Sequence, residues 1–141
     1  MSNLSAFLKP AYTERKIELV ISDRFVDEEG NPVPITMKSL TQEQLQVIAK
    51  RSTHERKING RTISEVDANE HLNRCLIASV VFPDLSSREL CAAYGVEDPV
   101  LLPPKMFLVG EYEKLAKAFA NLNGLKSDDG ELQIAGEVTK N

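Results

Sequence analysis

Residues 16–52 read KIELVISDRFVDEEGNPVPITMKSLTQEQLQVIAKRS, and this stretch decides the fold. Ile17, Leu19 and Ile21 alternate with Glu18, Val20 and Ser22, the period of a strand with one buried face. Ile35 and Met37 repeat the pattern, with Thr36 and Lys38 on the other face. Between them, Asp27-Glu28-Glu29-Gly30-Asn31-Pro32 is dense in turn formers. Pro32 restricts Asn31 to extended backbone, so Gly30 is the residue expected at positive φ. The connection is too long for a two-residue hairpin and predicts a wide one with a mobile tip. Pro34 has no backbone donor, so the second strand lies at a sheet edge or begins just after it. A helix follows at once. Thr41 and Gln44 form a T-x-x-Q capping box, and Leu45, Ile48, Ala49 and Ser52 make one modest apolar face.

The rest of the chain adds helices. Its 141 residues suit one body, which can bury about 70% of its unfolded surface without a staple. A net charge of −4 argues against a general nucleic-acid binder. No apolar run approaches the ~20 residues of a membrane span, and no signal peptide follows Met1. Two cysteines without an export signal suit reduced thiols in a cytosol. The organisation expected is a lead-in over 1–14, an α+β domain over 15–126, and an acidic, disordered tail over 127–141.

In the lead-in, Leu4, Phe7 and Leu8 form one face of a short helix that Pro10 ends. It either packs on the body or serves as an arm for a partner. Residues 53–64 are basic, with Arg56, Lys57 and Arg61 near Lys50 and Arg51, and Asn59-Gly60 signals a turn. This segment is expected to be a solvated loop. Its alternative use is a contact to RNA or to an acidic protein, and no aromatic is interleaved to stack on bases. Asp67 caps a helix expected to run to Phe82 and stop at Pro83. Leu72, Cys75, Leu76, Ser79 and Val80 share one face, and the second half is apolar nearly all round, as in a buried core helix. Ser86 and Glu89 suggest another capping box, opening a helix that Gly95 ends.

Pro103 and Pro104 suit the first turn of a last helix. Leu108, Tyr112, Leu115, Phe119 and Leu122 then recur at heptad-like spacing, with Gly110 as a possible break. That stripe serves core packing or a self-association seam. In the tail, Leu132, Ile134 and Val138 are spaced to dock as a short strand on a partner.

Catalytic and metal chemistry find little support. His71 and Cys75 stand four apart on one helix, but the second tight ligand pair of a structural zinc site is missing, with Cys91 and His54 alone elsewhere. No phosphate-binding glycine motif is present. Glu28-Glu29 and Asp128-Asp129 fall in a turn and in the tail, solvated places that leave a carboxyl ordinary. No catalytic residue, cofactor or metal site is assigned.

The order of several short motifs carries more. Ser22-Asp23-Arg24-Phe25-Val26-Asp27-Glu28-Glu29-Gly30-Asn31-Pro32-Val33 resembles the S-x-R-F-x-D-x-x-G-x-P hairpin of XkdN-like phage tail assembly chaperones. Ile35 to Thr41 resembles that family's second strand and helix entry, with Ile35 or Met37 where an aromatic is usual. Ala78 to Leu85 resembles its S-V-x-x-P-x-L helix end, Glu89-Leu90 to Tyr94-Gly95-Val96 its E-L-x-x-x-Y-G-V, and Lys105 to Leu115 its M-L-x-x-G-E-Y-x-x-L. Together these span about residues 15–125.

The resemblance implies a binding protein and not an enzyme. It would coat the long, apolar, helical tape measure protein of a phage tail, keep it soluble and bring tail tube subunits to it. It would act in the host bacterial cytoplasm and be absent from the mature virion. Two other functions stay open: a structural tail or baseplate component, and a small RNA-binding regulator using the basic loop. The residues expected to meet partners, or to mediate self-association, are Phe7, Leu8, Leu108, Tyr112, Leu115, Phe119, Leu132 and Ile134. The fold expected is α+β, an N-terminal hairpin or small antiparallel sheet followed by a bundle of about four helices.

Overall fold

The structure is a computed structural model in which residues 3–125 are described. The alternating stretch forms strands β1 (Lys16–Leu19) and β2 (Ile35–Lys38), paired antiparallel with Ile17 opposite Met37 and Leu19 opposite Ile35. β1 stops one turn of the pattern early, yet Ile21 beyond it is still buried. The long connection is pinned at its base, where the Val33 N–H donates to the Phe25 carbonyl and Val26 bridges Pro32. Its tip closes on Gly30 at φ +86°, a left-handed conformation that a side chain disfavours.

β2 is the middle strand, because β5 (Val80–Phe82) pairs along its other side. Pro34 just precedes β2 and removes no ladder bond. The helix expected to reach Phe82 therefore ends earlier: α3 spans Ala68–Ser79. Val80-Val81-Phe82 are β-branched and aromatic residues, which suit a pleated surface better than a helix end. Val80 enters the core beside Met37, and the Ser79 hydroxyl donates to the Lys38 carbonyl at 2.6 Å.

Helix α2 (Gln42–Arg51) begins on the Thr41–Gln44 capping box and buries Ile48 and, past its end, Ser52. The basic segment is not a loop. It is a hairpin of β3 (Thr53–Ile58) and β4 (Arg61–Val66), paired through six residue pairs. Asn59 and Gly60 have φ of 52° and 79°, the two positive values of a type I′ turn. Every residue from His54 to Val66 is exposed, so no apolar alternation announces these strands.

The helices cover the three-stranded sheet and one another. Ser87, rather than Ser86, caps α4 (Arg88–Ala93), while Ser86 bonds back to Asp84. At its end Val96 donates to the Cys91 carbonyl and Gly95 to that of Ala92, a Schellman closure. A 3₁₀ turn (Pro99–Leu101) leads into α5 (Leu102–Met106), with both prolines in its first turn. Phe107 and Leu108 are extended, and α6 (Val109–Leu122) starts afresh. The break thus falls before Gly110, which sits inside α6. With α1 (Ser5–Leu8), six α-helices are described, beside the two small antiparallel sheets of an α+β fold. Met37, Leu76, Leu85, Leu102 and Leu115 are fully buried and join the sheet, α3, α5 and α6 in one core. The expected tail over 127–141 lies outside the described residues.

Candidate functional site

The elbow between α5 and α6 is held from across the chain. Arg24, in the β1–β2 connection, donates from Nε and Nη2 to the two carboxylate oxygens of Glu111 at 2.8 and 2.7 Å. Its Nη2 also reaches the Met106 carbonyl at 2.9 Å, and the Leu108 N–H donates to Glu111 Oε1 at 2.9 Å. Glu111 therefore caps its own helix and receives a two-pronged guanidinium, the stronger geometry for an ion pair. It is 5% exposed. The Arg24 hydrogen bonds outweigh burial and hold its pKa down at about 2, with the Leu108 N–H and Ser22 adding to the effect. The pair raises the Arg24 pKa in turn. Phe25 meets Phe107 edge to face at 6.1 Å, and Lys114 donates to the Ile21 carbonyl.

This clamp shapes a groove beside it. α3 supplies Asn69, Leu72 and Asn73, the elbow Pro104 and Phe107, and α6 Val109, Tyr112, Glu113 and Ala116, around about 680 Å³ of open space. The Tyr112 hydroxyl donates to Asn73 Oδ1 at 2.6 Å across the floor. Burial first, and Cys75 when it ionises second, raise the Tyr112 pKa. The lining is mostly apolar, and Val109 at its rim is 78% exposed. Such a trough between two helices accepts a third apolar helix or side chains from an extended segment.

The residues assigned to partners in the sequence are not gathered in one place. Tyr112 lines the groove and Leu108 stands exposed at the elbow. Leu115 and Phe119 lie in the core. Phe7 and Leu8 are exposed on α1, which buries nothing, and Phe7 is 81% exposed. Leu132 and Ile134 lie outside the described residues. The Arg24–Glu111 pair was missed as a pair, although both residues stand in the quoted motifs, S-x-R-F and G-E-Y. Neither motif shows that the two halves meet.

The other polar residues serve structure. His71 Nδ1 lies 3.9 Å from the Cys75 sulfur, whose thiol is 1% exposed and pushed up to about 11 by burial. His54 Nε2 instead meets Glu70 at 2.6 Å, and Glu70 also takes Arg74. His54 first and Arg74 second lower the Glu70 pKa. No group of three metal-ligating side chains occurs among the described residues.

A family model described as phage XkdN-like tail assembly chaperone protein matches residues 4–136. The chain belongs to this family. Among its relatives is the phage-like element PBSX protein XkdN of Bacillus subtilis strain 168, 31% identical over 132 residues, which cover 91% of this chain and 89% of XkdN. The protein YqbN of the same strain is 32% identical over 136 residues, covering 94% of this chain and 91% of YqbN. A crystal structure of YqbN superposes with a TM-score of 0.74 at 31% identity, covering 89% of this chain and 99% of that one. YqbN thus shares this sheet-and-helix architecture, and the tail assembly chaperone family implies protein partners in tail assembly. No described helix is long and apolar enough to cross a membrane.

Proposed function

We propose that this XkdN-like chaperone binds the tape measure protein of its phage, keeps it soluble and brings tail tube subunits to it. It acts as a binding protein and not as an enzyme, in the host bacterial cytoplasm, and leaves before the virion is complete. The observation that carries the reading is the apolar groove between α3 and α6, open beside the exposed Leu108–Val109 elbow. An apolar helix of the client lies in that groove, with Tyr112 and Leu72 beneath it and Val109 against its flank. Phe7 and Leu8 form a second apolar contact, to the client or to a neighbouring copy. Many weak contacts along one long client give avidity of about a hundredfold or more without any single tight site.

The test is co-expression with the tape measure protein of the same genome, followed by pull-down and a solubility assay. The client stays soluble and co-purifies with more than one copy of the chaperone per chain. Val109→Asp, at a solvent-exposed rim, leaves folding intact and lowers client capture about tenfold. A client that precipitates equally with and without the protein overturns the reading. So does the chain's presence as a component of purified virions, which marks a structural tail protein.

A further inference from the structure

Helix α1 has four residues and buries none of them. Isolated helices that short are not stable in water, so α1 needs a surface to lie on. Leu4, Phe7 and Leu8 stand at i, i+3 and i+4, on one face of a turn, and all three are more than half exposed. That is the anchor spacing with which an amphipathic helix enters a groove. Lys9 follows the last anchor and makes no salt bridge among the described residues.

The same molecule carries the complementary surface. The trough between α3 and α6 presents Leu72, Phe107, Val109 and Tyr112, with Glu113 at its side. Glu113 is exposed and also makes no salt bridge among the described residues. An apolar turn followed by a cation thus faces an apolar trough flanked by a carboxylate. The α1 of a chain does not fill that chain's own groove, since Phe7 is exposed. Tyr12, four residues past Leu8, lines a hollow with Asn121 to Gly124, at the end of α6 away from the elbow.

We propose that α1 of one copy lies in the α3–α6 groove of a second copy, with Phe7 and Leu8 over Leu72 and Tyr112 and Lys9 beside Glu113. On the reading that this groove is the client's site, the contact regulates it. The arm of a neighbour covers the groove until a client helix displaces it. Arm and groove are different patches, so a copy with a damaged arm still offers a groove, and a copy with a damaged groove still offers an arm.

Sedimentation equilibrium of the full chain finds an average mass that rises with concentration from about 10 μM to about 1 mM. Phe7→Asp and Val109→Asp, both at strongly exposed positions, keep the parent's circular dichroism and each weaken association about tenfold. Their equal mixture associates about tenfold more tightly than either variant alone, because one supplies the groove and the other the arm. Lys9→Glu in the arm-bearing copy weakens the mixed pair about threefold, and Glu113→Lys in the groove-bearing copy restores it. Phe7→Asp leaves the groove uncovered, so it captures the tape measure protein of the same genome at about a threefold lower concentration than the parent does. A parent that stays monomeric at about 1 mM overturns the proposal. So does a mixture that associates no better than its components, which places the contact elsewhere. A Phe7→Asp variant that captures the client no more readily than the parent overturns the displacement. Client capture that survives Val109→Asp while the mixture still associates overturns the client's use of the groove and leaves the arm contact standing.

Discussion

Glu111→Gln removes the charge and one of the two acceptors from the clamp that holds the elbow. The amide oxygen, in the place of Oε1, still accepts from the Leu108 N–H and from Arg24 Nη2, but the NH2, in the place of Oε2, faces the Arg24 Nε–H, so the charge and one hydrogen bond are lost together. Folding takes the Glu111 carboxyl from its ordinary 4.5 down to about 2. A depression of that size corresponds to about 3.4 kcal/mol of folding stability. Because the folded pKa is the lower one, this contribution is fully present above pH ~4.5 and is lost as pH falls toward ~2. Urea unfolding at about pH 7, followed by circular dichroism, therefore finds the variant about 3–4 kcal/mol less stable than the parent. The gap narrows steadily as the two proteins are compared below pH ~4.5. Glu113→Gln, an exposed neighbour, changes stability by less than ~0.5 kcal/mol at every pH. A gap under ~1 kcal/mol that stays constant with pH refutes the claim that the Arg24 pairing is what holds the carboxyl down.

Leu115 is fully buried, so Leu115→Ala lowers stability by about 3 kcal/mol in the same urea assay. Gly60→Ala strains a φ of 79°, costs the hairpin about 1 kcal/mol, and speeds amide exchange over 53–66 while the core amides keep their protection. Cys75, buried and with its pKa near 11, resists iodoacetamide at about pH 8 in the folded protein and reacts once urea unfolds it.

The parts legible in the sequence were those where a short-range signal agrees with the tertiary outcome. Ile17 and Leu19 against Ile35 and Met37 announced the first strand pair, and Thr41 with Gln44 announced α2. Gly30 and Gly95 fell where a turn or helix end was expected. β5 was hidden because Val80-Val81-Phe82 continue an apolar run that begins in a helix, and only pairing with β2 separates them. β3 and β4 were hidden for the opposite reason, since strands exposed on both faces leave no alternation to find. Ser86 and Ser87 offer equal caps by composition, and the Asp84 side chain decides between them by holding Ser86. The elbow at Phe107–Leu108 lies at the start of the heptad-like stripe. Arg24, more than 80 residues away in the chain, holds it. The groove follows from that long-range pair, which explains why Tyr112 was picked out while Leu72 and Val109 were not.

The segment that leads into β1 and the end of α6 come to one pole. Tyr12, Thr13, Glu14 and Arg15 line a single hollow with Asn121, Leu122, Asn123 and Gly124. The groove opens at the other end of α6, and the 14 residues of that helix set the two about 21 Å apart. Joining Tyr12 to Gly124 through a flexible linker and opening the chain at Asn59-Gly60 gives a circular permutant that keeps the elbow and its groove.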